Sequence, residues 1–514
     1  MIDFFLSMRK TILVKTICFT GAFLFFIHIT VAQYAFNEPC QHALRHILSL
    51  QFKDAGNILN SEKKRDRNNL IPVYLENYID FLTLYIGEER IQFEEFSTNK
   101  QNRIDLLEKG DKKSPFYRFC LAEVNLQWAL SRLKFGDYIA AALEMQKANQ
   151  LLMENQKLFP AFLLNKMGLG LICLLAATVP DNYRWIVHLM GIDGSIETGI
   201  TRIRKITDYN GQDKFISMFK PEAFFYLVTT ALDLYKDKQE ALHEIDLFKS
   251  EQDNRLLCET PLMTYITARI LMRNGLNDRA LEVLQRRTSD GKACPFYFLY
   301  YMEGMCRLNR LDLSAKDHFQ YYIDHFKGLN YIKAAYQKLA WIAALTGDTA
   351  KYFETIQVLR IKGAFIVDED KQAWTEMDVW TFPSVVLLRT RLLVDGGYYE
   401  KALSELLNNS LKRIVKTRKD FIEYTYLLAR IYHEKGNIPK ALFYYRETIQ
   451  KGKNEIYCYA AASAFQMGMI FESHGETLKA ESCYRQCLSI QTLEYKTSLD
   501  LMAKAGLNRL KKTH

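Results

Sequence analysis

Residues able to do chemistry are few in this chain, and most of them fail on spacing. Cys40, His42 and His46 are a zinc donor set by type, with the two histidines four apart and so on one helix face. No fourth donor stands nearby, so they read as ordinary helix residues and no metal site is expected. Gly168-Leu169-Gly170-Leu171-Ile172-Cys173 opens like a dinucleotide fingerprint but lacks the third glycine and a preceding strand, which makes it core. His243-Glu244 and His433-Glu434 each lack the second histidine of a zinc-protease helix, and Gly194-Ser195-Ile196 lacks the closing glycine of a nucleophile elbow. With no phosphate loop either, the chain is read as a non-enzyme that needs no cofactor. What remains is chemistry of recognition: Tyr226, Tyr265, Tyr300, Tyr426 and Phe465, with Arg269 and Arg430 four residues after two of them. Rings and guanidinium groups in register suit stacking and hydrogen bonding to an extended ligand.

The register comes from a repeated signature. Ala280, Ala402, Ala441 and Ala480 each follow a glycine, namely Gly275, Gly397, Gly436 and Gly475, by five residues. They follow a bulky apolar residue, Leu271, Leu393, Tyr432 or Phe471, by nine. Glycine supplies a backbone turn that other residues resist, and a small residue five places later lets two helices approach. The pattern resembles a tetratricopeptide repeat. That resemblance implies an all-α, right-handed solenoid of helix-turn-helix units, and a concave groove as the default binding surface. The recognition residues sit fifteen before each small residue, Ala241 and Ala315 included, at a position that looks into the groove in such arrays. Leu126 and Leu387 interrupt the row. With 30 tyrosines and 32 phenylalanines in the chain, core packing competes for the same rings. The carboxylate-clamp subclass of these repeats is disfavoured, because tyrosine and other residues stand where it carries lysine and asparagine.

The elements that position these residues divide the chain in three. Residues 1–32 carry Arg9 and Lys10 before an almost uncharged stretch ending Thr-Val-Ala, as a secretory signal peptide or an N-terminal anchor would. Its junction at Ala32-Gln33, without a lipid-accepting cysteine, resembles exported proteins of the Bacteroidetes group. Residues 33–220 are a divergent helical-repeat region, with a first helical hairpin at Phe52–Leu59, a charged loop over Ser61–Asn69 and a buried helix at Met167–Ala177. Within it, Val179-Pro180-Asp181, Trp185, Leu189, Gly191, Gly194 and Gly199 resemble a stretch of a eukaryotic tetratricopeptide family implicated in clearing inclusion bodies, which implies helical architecture only. Residues 221–514 are the clearer array, broken by an irregular connection near 355–383.

At 514 residues and 49% hydrophobic composition the chain exceeds a single globular core, which favours a stack. A net charge of +9, dispersed along its length, argues against nucleic acid as a partner. The densest basic run, Lys412 to Lys419, reads as a solvated helix face. Beyond a possible N-terminal anchor no membrane-embedded body is expected. These readings converge on a protein-binding scaffold or adaptor, exported to the periplasm or cell envelope, with a glycan- or peptide-binding protein at the outer membrane as the alternative.

Overall fold

The computed structural model describes residues 33–511 apart from 178, 180–190, 193, 231–237, 251–259, 288–290 and 379–380. Residues 1–32, Pro180, Asp181, Trp185 and Leu189 therefore lie outside the described residues. The fold is an all-α solenoid of antiparallel helix pairs, and among the described residues one β-bridge joins Gln33 to Asn69.

The glycine signature has a direct structural cause. Gly275, Gly397, Gly436 and Gly475 are left-handed, with φ of +69°, +83°, +75° and +73°. In each case the next amide donates back to the carbonyl of the bulky residue: Leu276 to Leu271 at 2.9 Å, and Tyr398 to Leu393, Asn437 to Tyr432 and Glu476 to Phe471 at 2.8 Å. This is the six-to-one bond of a Schellman turn, which satisfies orphan carbonyls of the first helix and sends the chain into the second. The four alanines are completely buried. Gly347 makes the same turn at φ +76°, whereas the Phe298–Asn309 helix ends without glycine and turns at Leu311 with φ 64°. First helices run Lys220–Thr230, Pro261–Arg273, Phe298–Asn309, Ile332–Leu345, Val385–Asp395, Arg418–Glu434 and Tyr459–Ser473. Their starts are set by local chemistry, as where the Thr260 hydroxyl accepts from Met263 N ahead of Pro261, and where Thr417 and Asp420 close a capping box.

Two expectations change. Ser61 to Arg65 belong to the Phe52–Arg65 helix and not to a loop, because Glu62 is buried there and anchored by Asn37, Asn69 and Arg65. The 355–383 stretch is largely helical, with Thr349–Ile361 ending in it and Asp368–Asp378 within it. The acidic run opens that second helix, where carboxylates oppose the positive end of the helix dipole. Asp370 is fully buried and caps a neighbour, accepting from the amides of Tyr331 at 2.7 Å and Ala334 at 2.9 Å at the start of Ile332–Leu345.

That helix marks a fold-back. The Val385–Asp395 helix packs on Phe298–Asn309, two units earlier, and Tyr398 Oη donates to Asp278 Oδ1 at 2.7 Å across 120 residues. The N-terminal region closes on the same body: Asn330 Nδ2 donates to Glu88 Oε2 at 2.7 Å, and Cys294 N to Leu50 O at 2.8 Å. The chain is thus a coiled array whose distant turns touch, not a stack in which each repeat meets only its neighbours.

Candidate partner-binding channel

Coiling of the array turns one face of several first helices toward a common interior. Tyr265, halfway along Pro261–Arg273, is half-buried, with the rings of Phe225, Phe296 and Phe298 at 6.2, 5.5 and 6.1 Å. Burial raises the Tyr331 phenol, with Glu369 adding to the rise and Arg269 opposing it. Burial likewise raises the phenols of Tyr495, beside Glu369, and of Tyr459, against the pull of Arg391. The lining ends at Tyr426, whose ring lies 5.3 Å from that of Tyr459 and 5.9 Å from the Arg430 guanidinium. Phenols and charged groups from segments more than two hundred residues apart therefore approach one another inside the coil, and they are the candidate lining of a polar channel.

Most of its charges are matched. Arg430 Nη1 meets Asp395 Oδ1 at 2.8 Å, and Arg391 spans two helices, reaching Glu376 at 3.1 Å and Glu423 at 2.5 Å. A third contact runs from Arg391 Nη2 to the Tyr459 hydroxyl at 3.3 Å. Burial pushes the Tyr426 phenol up to about 12 against the opposing pull of Arg430. Burial alone would lower Arg391, but Glu423, Tyr459 and Glu376 raise it well above its ordinary value. None of these groups is arranged as a nucleophile beside a base.

The seven recognition residues read from the sequence do not stay together. Tyr265, Arg269, Tyr426 and Arg430 belong to the channel. Tyr226 lines a separate cavity, its hydroxyl donating to Glu222 Oε1 at 2.5 Å. Tyr300 faces the other side, in the first turn of its helix, with the Tyr321 ring at 4.3 Å and the Arg287 guanidinium at 4.2 Å. Tyr301, one residue on, is the ring that joins Tyr331 at 5.4 Å. Phe465 is 1% exposed and packs on Tyr484 at 5.8 Å, so it is core and not groove. Having no polar tip, it gains more from burial than a tyrosine at the same register. Arg391 was legible, since it stands four residues after Leu387 as Arg269 and Arg430 do after their tyrosines. Tyr331, Tyr459 and Tyr495 carried no such signal, because they enter through the fold-back and through helix starts.

Elsewhere, Cys40 is buried against Asn69, His42 meets Glu38 at 3.9 Å and His46 pairs with Gln51 at 2.7 Å. The eight described cysteines are free thiols. Among the described residues no helix is long and apolar enough to cross a membrane.

No protein-family model and no curated protein matches the chain. Among solved structures, a human IFIT1 dimer with PPP-AAAA is similar over 81% of this chain and 95% of that one, at 13% identity and a TM-score of 0.35.

Proposed function

We propose that this protein is a non-catalytic scaffold of the bacterial cell envelope that holds an extended segment of a partner protein in the polar channel. The observation that carries the reading is the channel pair Tyr265 and Tyr426, both partly buried and each followed four residues later by an arginine. Tyrosine gives a peptide broad contact area with only two side-chain torsions to immobilise, and its hydroxyl donates to backbone carbonyls. The ion pairs of Arg391 and Arg430 leave little surplus positive charge there. A nucleic-acid backbone needs such a surplus, so a polypeptide is the better occupant. Export rests on residues 1–32, whose removal N-terminal sequencing of the mature protein would detect.

Affinity purification of the tagged protein from its host envelope, with cross-linking, tests the assignment. A protein recovered with the wild type and lost with Tyr265→Ala/Tyr426→Ala supports it, given unchanged circular dichroism. Recovery that is indifferent to the double substitution contradicts it. Loss of a bound envelope glycan instead of a protein would favour the glycan reading.

A further inference from the structure

A second site lies outside the channel, between the N-terminal helices Ile71–Gly87 and Leu164–Ala177 and the array helices Lys220–Thr230 and Pro261–Arg273. They enclose a cavity of about 330 Å³, within the size range of small-ligand sites. Its walls are leucines and aromatic rings, among them Tyr78, Phe81, Tyr85, Phe225 and Tyr226. Among the described residues no lysine, arginine or histidine lines it. Apolar side chains of this size would ordinarily close such a space, since core packing leaves few voids larger than a water molecule.

Two polar groups break the apolar wall. Glu222 lines the cavity and is 9% exposed, its carboxyl taking hydrogen bonds from Tyr226 and Tyr78. Thr229 lines it too, and its buried hydroxyl has no hydrogen-bond partner among the described residues. Behind the wall stands Glu123, 2% exposed, near enough for its charge and that of Glu222 to act on each other. Its Oε1 likewise has no partner among the described residues. Both carboxyls are pushed up by burial, and no base offsets either one. Buried without a base, the two acids favour their neutral forms, and a ligand that brings positive charge beside Glu222 lets its carboxyl ionise and pair with it.

We propose that this cavity binds a small organic amine, its ammonium group set against Glu222 and the Thr229 hydroxyl and its aliphatic or aromatic body among the rings. The rings of Tyr78 and Tyr226 add cation–π attraction, which is largest where the cation is desolvated. A carboxylate ligand finds no positive group in the lining to pair with, and a neutral alcohol of the same shape gains only the apolar contact. The site is independent of the channel and of the scaffold reading.

Calorimetric titration of the full chain with 4-phenylbutylamine, 4-phenylbutanol and 4-phenylbutyrate tests the proposal. The amine binds, the alcohol binds about tenfold more weakly or worse, and the carboxylate does not bind; charge recognition at a desolvated site supports a difference of this order. Glu222→Gln brings the amine down to the level of the alcohol and leaves the alcohol unchanged. Should that variant fail to fold, the three probes on the unaltered protein still decide, and Leu262→Trp, which fills the cavity, abolishes amine binding. Equal binding of amine and alcohol, or amine binding that survives Leu262→Trp, overturns the proposal, as does failure of the amine to bind.

Discussion

Gly275 and Gly397 lie back to back, although they are 122 residues apart, with two helix pairs and the Asp368–Asp378 helix between their repeats. A Cβ built on Gly397 would stand 2.8 Å from the Gly275 Cα and collide with its carbonyl oxygen. Each glycine makes the left-handed turn of its own repeat, so each already has a local reason to lack a side chain. The close approach adds a second reason, and it fixes how tightly the array coils. Gly436 and Gly475 make the same turn over open space.

Gly436→Ala is therefore expected to cost about 1 kcal/mol, the penalty of a left-handed alanine. Gly397→Ala pays that penalty and also separates the two turns, breaking the Tyr398 contacts with Asn277 and Asp278, for a total of about 3 kcal/mol or more. Chemical denaturation of the two variants checks the difference. Equal costs would mean that the distant turns do not touch in solution.

Glu303 is the second case in which distant side chains converge. It is 4% exposed, with Arg287 at 2.6 Å, His318 at 3.0 Å and Arg307 at 3.1 Å. Burial alone would raise its carboxyl, but hydrogen bonds from His318 and Arg287 hold it down to about 2. A depressed native pKa contributes stability that is complete above about pH 4.5 and is lost as pH falls toward 2. Glu303→Gln should cost about 3 kcal/mol at pH 7, because three basic groups lose their counter-charge, and should flatten the acid limb of the stability profile. Denaturation midpoints between pH 7 and pH 2 read out both effects.

Asp370 titrates in the opposite sense. Burial raises its carboxyl to about 7, against the Ala334 and Tyr331 amides that favour the anion. The native state then keeps a proton that the unfolded chain releases above about pH 4, so the stability contributed at this site falls as pH rises from 4 to 7. Asp370→Ala removes the cap and should cost about 1–3 kcal/mol. The gap between wild type and variant should narrow across that window, as thermal melts at several pH values would show. A gap that widens instead would mean that the cap acts as a carboxylate throughout.

The repeat turns were readable because their causes are local: glycine, a bulky residue four places before it and alanine five after form one hydrogen-bonded unit. The channel was readable only in part. Tyr426 lies well inside its helix and faces inward, whereas Tyr300 stands in the first turn of a helix that starts at Phe298 and turns outward. Phe465 shares their register but is drawn into the core. The fold-back was invisible to pattern reading, because the cap from Asp370 to Tyr331 and the meeting of Gly275 with Gly397 join segments that no periodicity connects. The cavity at Glu222 was equally hidden, since its walls come from six helices of two regions that the sequence kept apart.

The central claim is that the channel, and not the outer face, receives a partner segment. Photo-cross-linking tests it most directly, with a benzophenone side chain placed in turn at positions 265, 426 and 300 and the protein expressed in its own host. Adducts to one polypeptide from 265 and 426, with none from 300, are the predicted result. Adducts of equal yield from all three positions, or from 300 alone, would contradict the account.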